Sequence, residues 1–291
     1  MGSTVAVTIV PNGTMAVRDL HAHAQDRIAV LEQRWSRFIP SSEICGINAA
    51  AGEWVSVSRD TTRLVRRAID AWELTDGAFD PTILPALVAL GYTESIEIVR
   101  AAPRDCGRPA SAPGCGDIEV SDDRVRLPPG VQFDPGGIGK GMTGDIVVEE
   151  VSSRGAEGVC VEVGGDVRVV GDGPEGRGWV VRIADPDRSR PDLARVWLTD
   201  GAVASSSTKE RRWVAGNQEV HHLIDPATGL PTAVARGASV LASDGWLAEA
   251  LSTAACVTGS LADVERVGGA ALLVTGDATV VRSAQFGRYE I

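Results

Sequence analysis

Aromatic residues are scarce in this chain, at 4% of 291 positions, and basic residues are in no excess: 28 Lys and Arg stand against 39 Asp and Glu, a formal net charge of −11. That balance leaves no surplus cations to neutralise a run of phosphates, which argues against non-specific binding to nucleic acid or to an anionic membrane. No apolar run approaches the roughly 18–20 residues of a membrane span. The stretch from Met1 to Val10 lacks the charged-then-apolar pattern of an export signal. A soluble, cytoplasmic protein is expected, with no nucleic-acid partner and no membrane span. The five cysteines, Cys45, Cys106, Cys115, Cys160 and Cys256, are odd in number and scattered. Neither a disulfide framework nor a CxxC zinc site is indicated; Cys106 and Cys115 read as loop thiols, Cys160 and Cys256 as core ones.

Of what is present, 44% is hydrophobic, and the length suits one large domain or two joined halves. Thr4 to Val10 alternates like an edge strand. Val17 to Trp35 repeats apolar residues at Leu20, Ile28, Leu31 and Trp35, the spacing of a long helix. A second helix is expected from Asp60 to Leu74, stopped at Asp76-Gly77. The run from Ala101 to Gly116, rich in Pro and Gly, reads as a surface excursion. Beyond it the pattern predicts a hairpin between Ile118 and Leu127 and a helix from about Ile138 to Val151. An antiparallel meander is expected at Val159 to Val163, Val167 to Val170, Trp179 to Ala184 and Arg195 to Leu198. A helix near Trp246 to Val257 and a closing strand pair complete the chain. Helices and strands mix without a βαβαβ alternation, so the fold class is α+β.

The most glycine-dense segment, from Phe133 through Asp134-Pro135-Gly136-Gly137-Ile138-Gly139-Lys140-Gly141 to Asp145, opens a helix. Glycines let backbone N–H groups approach an anion at the positive helix end, and Lys140 adds a full charge; a phosphate site is expected. It is not a Walker loop, because Gly141 follows Lys140 where a Ser or Thr would hold magnesium. Gly139, Gly141 and Gly144 also spell GxGxxG, with Glu162 downstream, but inside the helix rather than on a strand-helix turn. Close helix packing outranks a Rossmann reading there.

His221 and His222 precede an Asp-Pro turn at Asp225. An imidazole titrates near neutrality and suits a base for a hydroxyl nucleophile, with Asp225 to orient it or to shape the turn. Neighbours on a strand face opposite sides, so both histidines cannot serve one site. Glu249 and Thr253 stand four apart on one helical face beside Ser252, among Ala, Leu and Cys residues. A buried unpaired carboxylate is costly, and a hard cation shared with the hydroxyls would satisfy it.

In this order the segments resemble the ApbE-type flavin transferases, the FAD:protein FMN transferases. Trp35 to Asn48 is similar to that family's aromatic-plus-SEIxxxN stretch, Gly77-Ala78-Phe79-Asp80-Pro81-Thr82 to its GAFDPT motif, and Asp134 to Gly141 to its DLGGIAKG loop. Val163 to Arg168 resembles LGGDxR, His222 to Gly229 resembles HIIDPxTG, and Ala248 to Thr253 resembles ADALST. The likeness runs from Met1 to about Gly259. It implies a single ApbE-like domain over residues 1–291, of T-fold-like architecture: two intertwined α/β halves, mostly antiparallel sheets and a cleft between them.

The same resemblance implies that FAD, as substrate, contacts Met1, Phe38, Ala78, Phe79, Asp80, Asp134, Lys140 and Leu223. It implies a magnesium ion held by the Gly137 carbonyl, Glu249 and Thr253, with Ser252 as a further ligand. The implied reaction moves the FMN half of FAD onto a Ser or Thr hydroxyl of a target flavoprotein and releases AMP. That hydroxyl needs a base, for which His222 is the candidate, with Asp225 as its support. The rival readings are an FAD pyrophosphatase giving FMN and AMP, and a non-catalytic FAD-binding protein. Three positions depart from the family pattern: Glu249 replaces an Asp, Glu162 an Asn, and Ser205 to Thr208 a Thr-Ser-Gly turn.

Overall fold

The computed structural model describes residues 4–13 and 15–291. Seven strands lie side by side in chain order: β1 (Val5–Pro11), β2 (Ala156–Val163), β3 (Asp166–Val170), β4 (Asp200–Ser207), β5 (Ala235–Ala242), β6 (Ala270–Thr275) and β7 (Val280–Arg282). Each pairs antiparallel with the next. The period of two along β2 buries Val159, Val161 and Val163 and turns Glu162 outward, which pins its register against β1 at Val163↔Val5.

Five helices position the site: α1 (Val17–Trp35), α2 (Glu43–Ala49), α3 (Arg59–Leu74), α4 (Gly139–Ser153) and α5 (Gly245–Thr258). Val147, Val148 and Val151 of α4 pack on Val159 and Val161 of β2. Ala248, Leu251 and Ala255 of α5 pack on Ala202, Ala204, Ala238 and Val240 of β4 and β5. A further apolar cluster joins Trp35 of α1, Leu64 of α3, Met142 of α4 and Phe133, which precedes the glycine turn. Another apolar layer, built from Val181, Ile183, Val196 and Leu198 of the hairpin Trp179–Ile183/Ala194–Leu198 together with Phe286, packs on Val169, Val203 and Leu272.

The SEIxxxN-like stretch acts through caps. Glu43 accepts hydrogen bonds from the Ser58 N–H (3.1 Å) and hydroxyl (2.8 Å), while Ser58 caps α3 by accepting from Thr61 N. Asn48 clamps the backbone of Phe133, donating to its carbonyl at 2.9 Å and accepting from its N–H at 2.7 Å. That clamp fixes the approach to the glycine turn.

The α+β class and mostly antiparallel sheets match the sequence expectation, with corrections in detail. The expected meander does not form as one sheet, because Trp179–Ile183 and Ala194–Leu198 pair with each other, and Val196 with Glu290, rather than with the seven-stranded sheet. The strands β4 and β5, the middle of the sheet, carry no alternation that announces them. Cys115 lies in a loop, as expected, but is buried there, and all five cysteines are unpaired. Among the described residues no helix is long and apolar enough to cross a membrane.

Candidate active site

A cleft of about 1370 Å³ gathers most of the positions singled out from the sequence: Phe38, Ala78, Phe79, Asp80, Asp134, Gly137, Lys140, His222, Leu223, Glu249 and Thr253 all line it. Ser252 and Asp225 lie off its wall, and Met1 falls outside the described residues. Two motifs meet backbone to backbone at its floor, where Asp134 N–H donates to the Pro81 carbonyl at 2.7 Å. Asp80 is 6% exposed, and its Oδ1 accepts from the Thr82 N–H (2.7 Å) and hydroxyl (2.6 Å). Burial pushes its carboxyl up, and the Thr82 donors partly offset this. Phe79 packs under Gly137, where a Cβ would stand 3.0 Å from its ring.

Two glycine N–H groups of the turn have side-chain carboxylate acceptors. Asp134 Oδ1 accepts from Gly136 N at 2.9 Å, and Glu249 Oε2 accepts from Gly141 N at 2.8 Å. Gly141 also lies against the backbone of Gly245, so closely that a Cβ on either would run into the other. Asp145 caps α5 from α4, accepting from Gly245 N (2.7 Å) and Trp246 N (2.9 Å), and is braced by Arg168 Nε at 3.0 Å. The GxGxxG glycines thus serve helix packing, as the structural reading of that motif expects.

Lys140 Nζ is shared between Asp166 and Glu249, at 2.6 Å from Glu249 Oε1. Glu249 is 3% exposed. Burial pushes its carboxyl up, while Lys140 and the Gly141 N–H pull it back; both partners are donors, which is the environment of a carboxylate. The three groups therefore carry one negative charge in excess. Hydroxyls stand beside them: Ser206 Oγ is 2.7 Å from Ser252 Oγ and 3.3 Å from Thr253 Oγ1. Thr253 Oγ1 lies 3.5 Å from where a Cβ on Gly137 would stand. Among the described residues no three His, Cys, Asp or Glu converge as a metal cluster. The donors are instead two carboxylates, hydroxyls and a backbone turn, all oxygens with surplus negative charge, and that chemistry fits magnesium.

The two histidines diverge. His221 Nε2 is 2.9 Å from the Thr232 carbonyl, while His222 lines the cleft with a buried Nδ1 that has no hydrogen-bond partner. Burial holds His222 well below the usual imidazole range, and the charges of Arg211, His221 and Lys140 press it lower still. It is therefore neutral at pH 7, the form that takes a proton. Asp225 does not reach it: its carboxylate accepts from Ala227 N (2.9 Å) and the Thr228 hydroxyl (3.1 Å). Of its two expected roles, these bonds serve the turn rather than the imidazole.

Sequence reasoning missed Arg37, which lies 4.2 Å over Phe38 and 4.5 Å over Tyr92 and pairs with Asp134 at 3.5 Å. Nothing in the local pattern flags Arg37 or Tyr92. Asp166 and Ser206 could have been found, since both stand in segments already marked.

Sheet, flanking helices and cleft together define an α+β protein with an acidic, hydroxyl-rich centre beside a helix-opening glycine turn. The ApbE family profile matches residues 1–268, and the chain belongs to that family. It is 30% identical over 272 residues to a Rhodobacter capsulatus protein named FAD:protein FMN transferase, covering 88% of this chain and 51% of the relative. The chain thus spans about half that relative's length. Among solved structures, the ApbE protein of Thermotoga maritima is similar at TM-score 0.87 and 30% identity, over 100% of this chain and 96% of that one. The apo form of the Pseudomonas stutzeri flavinyl transferase ApbE gives TM-score 0.82 and 25% identity, over 99% and 93%.

Proposed function

We propose that the protein is an FAD:protein FMN transferase. The observation that carries the reading is one cleft lined by a neutral imidazole at His222, the Gly137 turn and the Glu249–Thr253 face of α5. FAD is the substrate, held against Phe38, Ala78, Phe79, Asp80, Asp134, Lys140 and Leu223, with Met1 as a further contact. A Ser or Thr hydroxyl of a target flavoprotein attacks the phosphorus on the FMN side of the diphosphate. The new phosphoester oxygen–phosphorus bond forms as the bond to AMP breaks, and His222 takes the hydroxyl proton. Asp225 supports His222 indirectly, by holding the turn that follows it. Glu249, Thr253, Ser252 and the Gly137 carbonyl would hold magnesium, which when bound supplies charge neutralisation at the diphosphate. Glu249 spans one methylene more than the family's Asp, and both its oxygens already accept from Lys140 and Gly141, so its hold on the ion differs from the usual one.

The test is incubation with FAD, magnesium and a target flavoprotein carrying a flavinylation motif. Covalently labelled target with an equal yield of AMP is the expected result. Free FMN and AMP without labelling would make the protein a pyrophosphatase, and tight FAD binding with no AMP would make it a binding protein.

A further inference from the structure

The sequence assigns the phosphate to Lys140 and the glycine turn, yet that cradle is half filled by the protein itself. Gly136 and Gly141 give their N–H groups to Asp134 and Glu249. Lys140 is neutralised twice over by Asp166 and Glu249, so it has no free charge of its own to offer a diphosphate. Any side-chain countercharge beyond that of magnesium must come from elsewhere on the wall.

Seven cations line the cleft, and six are tied to protein oxygens. Arg37 pairs with Asp134, Arg182 with Asp192, Arg188 with Glu210, Arg190 with Asp185, Lys140 with its two acids, and Arg100 donates to the Arg212 carbonyl. The seventh, Arg211, makes no hydrogen bond, ion pair or ring contact among the described residues, although it is half-buried. Partly desolvating a guanidinium with no anion costs free energy, which a bound anion returns.

Its position is specific. The charge of Arg211 acts on Lys140 and His222 at the centre and on Tyr92 and Glu97 at the far wall; Glu97 lies beyond ion-pair distance. Its backbone sits at φ 42°, a left-handed conformation that a non-glycine residue adopts at a cost and that clusters at functional sites. The preceding backbone group, at Glu210, meets the His222 ring. The same strained turn therefore lies beside His222 and places Arg211 on the cleft wall.

We propose that Arg211 binds the diphosphate of the dinucleotide substrate, supplying the countercharge that Lys140, held by two acids, cannot. The inference rests on reading the cleft as the FAD site. An arginine suits the task because its planar fork grips phosphate oxygens in pairs.

The experiment is equilibrium titration of the whole protein, in magnesium buffer, with FAD, inorganic pyrophosphate and riboflavin. Arg211→Gln should weaken FAD and pyrophosphate by roughly ten- to a hundredfold, the worth of a charge-assisted hydrogen bond, and leave riboflavin unchanged. Arg211→Gly should lose the same affinity while keeping or raising the thermal midpoint, since glycine tolerates φ 42°; a merely structural arginine would lose both together. Unchanged FAD and pyrophosphate affinity overturns the proposal. So does an equal weakening of riboflavin, or a loss confined to binding of the acceptor protein. A wild-type protein that binds pyrophosphate through Arg211 but neither flavin would sink the flavin reading and leave the anion site standing.

Discussion

His222 concentrates the chemistry at the scale of a single residue. Replacing it with Ala should keep FAD affinity within a few-fold and lower the transfer rate by about 10²–10⁴, the usual worth of a general base; equal loss of binding and rate would make it architecture. Its titration gives a second expectation. Burial, then Arg211, His221 and Lys140, hold the folded value well below 6.5, with the Glu210 backbone as a partial offset. Transfer should stay level as pH falls through 6.5 and drop only below it; a midpoint near 6.5 would count against His222. Stability has the same sign. The unfolded chain takes up the proton near 6.5 and the folded one does not, so this contribution is full above 6.5 and is lost as pH falls below it. At the metal face, Glu249→Ala should raise the magnesium needed for half-maximal transfer at least roughly tenfold, and an unchanged requirement would remove Glu249 from the ion. The motif-borne positions were legible because their residue types and spacing are local, and the fold then gathers them in one cleft. Arg37, Tyr92 and Arg211 were not, since the partners of the first two and the lack of one at the third exist only once the chain has brought its neighbours together.

Where elements cross, the Gly141–Gly245 contact between α4 and α5 sets the distance from Lys140 to Glu249. Gly141→Ala drives a methyl group into the Gly245 carbonyl. The expected cost is about 1–3 kcal/mol by urea unfolding, with a further loss of transfer because the two helices separate; a variant of full stability and rate would mean the crossing is slack. Legibility at this scale followed side-chain size. The helices Val17–Trp35 and Arg59–Leu74 announce themselves by bulky residues at helical spacing, and β2 by its valines. The strands β4 (Asp-Gly-Ala-Val-Ala-Ser-Ser-Ser) and β5 (Ala-Arg-Gly-Ala-Ser-Val-Leu-Ala) are built of small residues with weak strand preference, and only the small-residue helix α5 lying on them explains why.

For the molecule as a whole, the cleft draws its lining from the end of α1, the α4 turn, β4 and α5, so ligand binding should be felt across the fold. FAD at a hundredfold excess over its Kd should add about 2.7 kcal/mol to the unfolding free energy. Calorimetry with and without FAD tests this, and an unmoved midpoint would argue against a site in the cleft. The ordering of the strands has its own consequence for how the protein is made. β1 is made before β2, its only partner in the sheet, and β2 follows roughly 150 residues later, about 8–30 s at ~5–20 residues per second. Throughout that interval nascent β1 offers an unsatisfied ribbon to any passing chain. Newly synthesised protein should therefore depend on chaperone shelter far more than the finished protein does.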